Sequence, residues 1–183
     1  KSEEEYRQEL PGAEVLFTWR PSGQDIRQAG CLRWVHVPSA GVDHSLPSEL
    51  VESPVVLTNS RGLHGVPIAE NVLGMMIMLA RKLHVCMRFQ MEGRWGRDDL
   101  MRAYPTLFEL HGRTAGIVGL GSIGVEIARR AKAFGMRILA TKRDVNADLG
   151  LAQGWIDRLL PPEGLPELLR ESDFVVIATP LTP

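Results

Sequence analysis

The sequence is poor in cysteine and balanced in charge, and each of these absences excludes a class of protein. Cys31 and Cys86 are its two cysteines, and they have neither the spacing of metal ligands nor the number that a disulfide framework needs. This fits a reducing compartment, and we expect a cytoplasmic protein. The formal net charge is -1 without a basic stripe, so neither a nucleic-acid nor a membrane partner is expected.

A long apolar run is also absent. The longest, Val72 to Ala80, is far shorter than the roughly 20 residues of a membrane-spanning helix, and we expect a buried helix there. The first residues, "KSEEEYRQEL", are charged where a signal peptide would have an apolar core. The chain also lacks an initial methionine, which suggests that the protein begins further upstream.

Short runs rich in β-branched and aromatic residues alternate with helical patterns. Glu14 to Trp19, Leu32 to Pro38 and Pro54 to Asn59 are predicted strands. Strands that alternate with helices predict an α/β fold with a parallel sheet. One long helix is predicted from Pro67 to Trp95, and a loop follows as far as about His111. Because this helix is apolar almost all round, it must be covered by its own domain or by a second subunit.

A glycine motif is the strongest single signal in the chain. Gly119, Gly121 and Gly124 form G-x-G-x-x-G between the predicted strand "AGIV" and the predicted helix "SIGVEIARRAKAF". The first glycine allows a tight turn, the second lets a pyrophosphate approach, and the third lets helix and strand pack closely. The N-H groups of Ser122 and Ile123, at the positive end of the helix, would bind phosphate. The alternative is a turn without ligand, which this context disfavours.

The next predicted strand, "FGMRILATKR" from Phe134 to Arg143, ends in basic residues. In a dinucleotide-binding unit, an acid about 20 residues after the last glycine accepts hydrogen bonds from the ribose of NAD. Lys142 stands at about that distance, and Arg143 follows. These bases can attract the 2'-phosphate of NADP, and the Thr141 hydroxyl can add a hydrogen bond, so NADP is favoured over NAD. The alternative is a pair of solvated cations.

Four segments resemble, in order and spacing, the D-isomer-specific 2-hydroxyacid dehydrogenase family. They are "PSAGVDH", "VPIAENVLGMMIMLARKL", the segment from Leu110 to Arg143, and "LPELLRESDFVVIATPLTP". The resemblance covers nearly the whole chain but does not specify one substrate. It implies a flavodoxin-like substrate-binding domain in residues 1–65 and a Rossmann-type nucleotide-binding domain in residues 66–183, both incomplete, with the active site between them.

The resemblance also implies binding residues. Family members hold the substrate carboxylate with main-chain N-H groups of a turn, which here fall on Ala40, Gly41 and Val42. Such a turn can form a nest of N-H groups that receives an anion; the alternative, which the residues alone favour, is an ordinary turn at the end of a strand. Asp43 is expected to cap the next turn. Thr179 and Pro180 are expected to contact the cofactor.

The long helix also has a family counterpart. The segment from Val66 to Asn71 is expected beside the nicotinamide, and the helix after it resembles the one that builds the family's dimer core. A homodimer is therefore expected, with Met76 at the interface. The alternative is the central helix of a monomer.

The resemblance implies an oxidoreductase that interconverts a small 2-keto acid, such as glyoxylate or hydroxypyruvate, and a D-2-hydroxy acid with NADP or NAD. The family's catalytic histidine, glutamate and arginine are expected beyond Pro183, so no catalytic residue is assigned here. The five histidines are interpreted as surface or satisfied core residues, and no metal site is expected. The chain is thus expected to be an inactive fragment of a longer enzyme. The alternative is a non-catalytic redox sensor or corepressor-like relative.

Overall fold

The chain forms two compact units, Lys1–His64 and Gly65–Pro183. The computed structural model describes residues 2–42, 46–146 and 148–179, except for the side chain of residue 151. Each unit has its own parallel sheet and its own apolar core, which confirms the predicted α/β class. Within the described residues, no helix combines the length and the apolar character that crossing a membrane requires.

The first unit is a three-stranded parallel sheet with short helices. Its elements are α1 (Glu3–Glu9), β1 (Val15–Phe17), α2 (Gly23–Gln28), β2 (Trp34–Val37), α3 (Ser48–Val51) and β3 (Val56–Asn59). The strand order is β1-β2-β3, and each strand lies inside a run that the sequence predicts. Ser2 and Ser22 begin α1 and α2 with capping boxes, which satisfy N-H groups that a helix start leaves unpaired.

The second unit is a four-stranded parallel sheet with longer helices. Its elements are α4 (Gly65–Ala80), α5 (Leu83–Met91), α6 (Arg97–Ala103), β4 (Thr114–Val118), α7 (Ser122–Ala133), β5 (Arg137–Thr141), β6 (Arg158–Leu160), α8 (Leu165–Glu171) and β7 (Phe174–Ile177). The strand order is β6-β5-β4-β7. The chain therefore moves outward from β4 to β6 and then returns to the other side of β4. Ligands of open α/β sheets bind where the order reverses in this way.

Two predictions about the elements of the second unit were wrong, and one strand was not predicted. The predicted long helix starts at Gly65 and is two helices, because Lys82 adopts a left-handed backbone with φ 54° between α4 and α5. The carbonyl of Ala80 accepts a hydrogen bond from the distant Phe108 N-H at 3.5 Å. This tertiary hydrogen bond takes the place of the one that Ala80 would accept within a continuous helix. The predicted loop contains α6, and the short strand β6 was missed.

The position of Met76 is a further correction. The buried residues of α4 are Gly65, Ala69, Leu73, Met76 and Ala80, and they form a stripe at helical spacing that belongs to the core of the second unit. Met76 is 4% exposed, whereas the neighbouring Met75 and Leu79 are 43% and 49% exposed. Met76 is therefore a core residue of its own unit, and the exposed apolar side of α4 carries Met75 and Leu79.

Candidate functional site

Two glycines of the turn after β4 could not be replaced by a larger residue without strain. Gly119 has φ 95°, a left-handed conformation that favours glycine. A Cβ at Gly119 would lie 2.7 Å from Thr179 Cγ2, and one at Gly124 would lie 2.4 Å from the Gly119 carbonyl oxygen. These two glycines let the turn fold tightly and let α7 approach it.

Gly121 differs from the other two glycines of the motif. A Cβ there would meet no atom within 4 Å, and its backbone is extended, with φ -93° and ψ -164°. The fold itself therefore leaves open space at Gly121. That space lies at the start of α7, where Gly121 is the N-cap and gives no side-chain cap hydrogen bond.

The start of α7 provides main-chain hydrogen-bond donors that no described residue uses. The Val125 N-H donates to the Gly121 carbonyl at 2.9 Å, so the N-H groups of Ser122, Ile123 and Gly124 precede the first bond of the helix and have no partner within it. A helix N-terminus with unpaired N-H groups and a positive dipole end is suited to phosphate. Gly65 allows α4 to begin close by, since its Cβ would lie 3.2 Å from the Ser122 carbonyl oxygen.

The end of β5 lies beside this turn. Thr141, 6% exposed, accepts hydrogen bonds from the Gly119 N-H at its carbonyl oxygen (3.2 Å) and at Oγ1 (3.3 Å). Lys142 is half-buried and Arg143 is exposed. In the part of the chain that the structure describes, neither cation has a side-chain partner. The next acid, Asp144, accepts a hydrogen bond from the Asn146 N-H at 3.0 Å.

Three strand ends meet at one edge of the second sheet. Val118 pairs with Thr141 of β5 on one side and with Ile177 of β7 on the other. Thr179 follows β7 and lies against Gly119. Gly119, Thr141 and Thr179 therefore lie together at the carboxyl edge of the sheet; that they bind a cofactor stays a prediction. Pro180, the other residue expected there, lies outside the described residues.

An ion-paired arginine joins two helices behind the site. Arg130 of α7 contacts Glu126 and lies 3.5 Å from the Glu70 carboxylate of α4. Hydrogen bonds from Arg129 and Arg130 hold the pKa of Glu126 below its usual range. Of these pairs, the one between Arg130 and Glu70 links the last turn of α7 to α4, whereas the pairs with Glu126 lie within α7.

The turn after β2 contains Ala40, Gly41 and Val42. Asn59 Nδ2 donates to the Ala40 carbonyl oxygen at 2.7 Å, and Ser39 Oγ donates to the Gly41 carbonyl oxygen at 2.6 Å. Among the described residues, the N-H groups of Ala40, Gly41 and Val42 have no acceptor. The sequence analysis missed Asn59; its position at the end of β3, beside the end of β2, was the available signal. Asp43 lies outside the described residues.

The described histidines form no catalytic or metal-binding cluster. His36 Nδ1 lies 2.8 Å from Thr58 Oγ1 and His36 Nε2 lies 3.2 Å from Ser60 Oγ, so both of its ring nitrogens have partners. His84 and His111 are exposed. Within the described ranges, no group of three or more histidine, cysteine, aspartate or glutamate residues could hold a metal ion. His44 lies outside these ranges.

The second unit matches a family model. Residues 73–183 match the model for "D-isomer specific 2-hydroxyacid dehydrogenase, NAD binding domain". This match includes the glycine turn, the end of β5 and the end of β7. The region that carries the free N-H groups of α7 is thus the region that resembles a nicotinamide-dinucleotide-binding domain.

Individual proteins resemble the chain over nearly all its residues. It is 34% identical to a glyoxylate reductase of Thermococcus gammatolerans over 92% of its own length and 49% of the relative's. It is 26% identical to a D-3-phosphoglycerate dehydrogenase of Methanocaldococcus jannaschii, over 100% of the chain and 34% of that protein. A crystal structure of a D-isomer specific 2-hydroxyacid dehydrogenase family protein from Aeromonas salmonicida superimposes with a TM-score of 0.82 and 26% identity, over 100% of the chain and 55% of its own. The chain spans about half the length, or less, of the curated relatives named here.

Proposed function

This chain belongs to the D-isomer specific 2-hydroxyacid dehydrogenase family, and we propose that the complete protein is an NAD(P)-dependent oxidoreductase that interconverts a small 2-keto acid and a D-2-hydroxy acid. The observation that carries the proposal is the glycine turn at the start of α7, where open space at Gly121 adjoins free N-H groups. A bound nicotinamide would supply the hydride chemistry. The residues of the second unit would bind and orient the cofactor, and those of the first would bind the substrate.

The turn after β2 supports a carboxylate as the group that the first unit binds. The N-H groups of Ala40, Gly41 and Val42 are main-chain donors of the kind that form anion-binding nests. The similarity to a protein named glyoxylate reductase supports glyoxylate, or the related hydroxypyruvate, as the 2-keto acid. The cytoplasmic location expected from the sequence stays a prediction.

Steady-state kinetics on the complete protein test this function. We expect oxidation of the reduced cofactor with glyoxylate and with hydroxypyruvate, and a D-configured product from hydroxypyruvate on chiral chromatography. Cofactor binding should be measured separately by fluorescence titration. Binding without turnover of any 2-keto acid would contradict the enzyme and would favour a dinucleotide-binding sensor instead.

We further propose that the enzyme prefers NADP. Lys142 and Arg143 directly follow β5, beside the glycine turn, and their side chains have no partner among the described residues. Asp144 lies further along and accepts a hydrogen bond from the chain's own Asn146 N-H. Cations at this point favour a ribose that carries a phosphate, because charge-assisted hydrogen bonds to phosphate are strong.

A homodimer is the proposed assembly. The exposed apolar residues Met75 and Leu79 of α4 are of the type that a second copy can bury, and Trp95, after α5, is 90% exposed. Large exposed apolar patches often mark protein interfaces. A two-fold symmetric contact would present the same surface from both copies.

Two neighbouring methionines give a matched test of the dimer. Met75→Lys should dissociate the complete protein into folded monomers, because the charge falls on the exposed side of α4. Met76→Lys should unfold the second unit, because it buries an unpaired charge in the core. Analytical ultracentrifugation and thermal unfolding distinguish the two effects. A wild type that sediments as a monomer at micromolar concentration would contradict the dimer.

A further inference from the structure

The turn after β2 is fixed in place by three donors. The Ser60 N-H donates to the Ser39 carbonyl at 3.3 Å. Asn59 Nδ2 donates to the Ala40 carbonyl at 2.7 Å, and Ser39 Oγ donates to the Gly41 carbonyl at 2.6 Å. Three successive carbonyl groups of the turn are therefore held.

Fixing these carbonyl groups also orients three N-H groups. In a planar trans peptide, the C=O of one residue and the N-H of the next point in opposite directions. The held carbonyls of residues 39, 40 and 41 thus orient the N-H groups of Ala40, Gly41 and Val42. These N-H groups point away from the groups that hold their peptides, and they have no acceptor in the described parts of the chain.

We propose that Asn59 is a positioning residue for substrate binding. Asn59 does not touch the substrate; it fixes the Ala40–Gly41 peptide, whose N-H binds the substrate carboxylate. Ser39 likewise fixes the Gly41–Val42 peptide and so orients the Val42 N-H. This inference rests on the proposed function, since it assumes that the bound anion is the carboxylate of a 2-keto acid. Asn59 is held at the turn by strand pairing, because it is the last residue of β3 and pairs with Val37 of β2.

The test is Asn59→Leu in the complete protein, assayed with glyoxylate and saturating NADPH. Leucine has a similar size but no donor, so the Ala40–Gly41 peptide loses its partner and can rotate. We expect KM for glyoxylate to rise about tenfold, the loss of one hydrogen bond to a charged group, while kcat changes little because the lost interaction is common to ground and transition states. The Kd of NADPH and the melting temperature should stay close to those of the wild type.

Two further variants make the result decisive. Gln8→Leu, which removes an amide from the exposed face of α1, should leave every parameter unchanged. Ser39→Ala should raise KM by a smaller factor, and it decides the question if Asn59→Leu does not fold. An unchanged KM in the folded variant, or a lower melting temperature with unchanged KM, would overturn the positioning role. A wild type that reduces no 2-keto acid would overturn the proposed function, and this inference with it.

Discussion

The turn after β4 and the turn after β2 present main-chain N-H groups in different ways. After β4, the donors belong to the first turn of α7, a helix of 12 residues, and the glycines leave space in front of them. After β2, the described residues 38–42 form no helix, and the side chains of Asn59 and Ser39, with the Ser60 N-H, hold the peptides instead. The first candidate site is made by backbone conformation and the second mainly by side-chain hydrogen bonds.

This difference determines which substitutions each site should tolerate. A site made by backbone conformation fails when a side chain fills its space, and it should survive the loss of a hydroxyl nearby. A site held by side chains should bind its ligand more weakly when one donor is removed, although the volume hardly changes. The variants of Asn59 and Ser39 described above test the turn after β2, and the three predictions below test the turn after β4 and the residues beside it, from the largest expected effect to the smallest.

Gly121→Val should abolish measurable cofactor binding in the complete protein. The added side chain would fill the open space at the start of α7, where a pyrophosphate would approach. Because that space contains no protein atom within 4 Å of the Cβ, the melting temperature should stay near the wild-type value. Fluorescence titration with NADPH measures the affinity. Gly30→Val, at another glycine with open space around it, is the control; normal NADPH affinity in Gly121→Val would place the pyrophosphate elsewhere.

Lys142→Asp combined with Arg143→Ala should shift cofactor preference toward NADH. One charge-assisted hydrogen bond to the 2'-phosphate contributes on the order of 1.5 to 3 kcal/mol, which corresponds to roughly tenfold to a hundredfold in relative affinity. The ratio of kcat/KM with NADPH to kcat/KM with NADH measures the change. Equal use of both cofactors by the wild type, or an unchanged ratio in the double variant, would show that these bases do not bind the phosphate.

Thr141→Val should have the smallest effect of the three. The Gly119 N-H keeps its bond to the Thr141 carbonyl when the hydroxyl is lost, and valine has nearly the same shape. We expect a loss of about 1 kcal/mol in unfolding free energy and an NADPH affinity within a few-fold of the wild type. Chemical denaturation and titration measure both. A loss of cofactor affinity as large as that of Gly121→Val would break the contrast between the two turns.

The strands of the first unit and the β4–α7–β5 segment could be predicted because local sequence determines them. Apolar runs bounded by turn residues indicate the strands, and the glycines mark the junction of β4 with α7. The break at Lys82 could not be predicted, because "LARKLHV" contains neither glycine nor proline, and the break accompanies a distant hydrogen bond between Ala80 and Phe108. Likewise, β6 could not be predicted, because it has only three residues and forms a strand by pairing with β5 at the edge of the sheet.

The candidate sites show the same limit. The glycine spacing indicates where a dinucleotide would bind, because pyrophosphate binding needs these glycines within a few residues of one another in the sequence. The proposed role of Asn59 depends on pairing between β2 and β3, which brings together residues 19 apart in sequence. Met76 shows a related limit. The sequence of a helix that is apolar on all sides does not reveal which side faces its own core, because that side is selected by packing against the rest of the unit.

The central position of β4 has a consequence for the order in which the second unit folds. Its contact with β5 joins residues 22 apart in sequence, as between Gly119 and Thr141, whereas its contact with the β7 side joins Thr114 to Asp173, 59 apart. Closing the longer loop costs about 0.9 kcal/mol more in chain entropy. The glycine turn, α7 and β5 can therefore assemble as a local nucleus, and Thr179 reaches the turn only when β7 docks. In pulse-labelling hydrogen exchange, the amides of β5 should gain protection before those of β7.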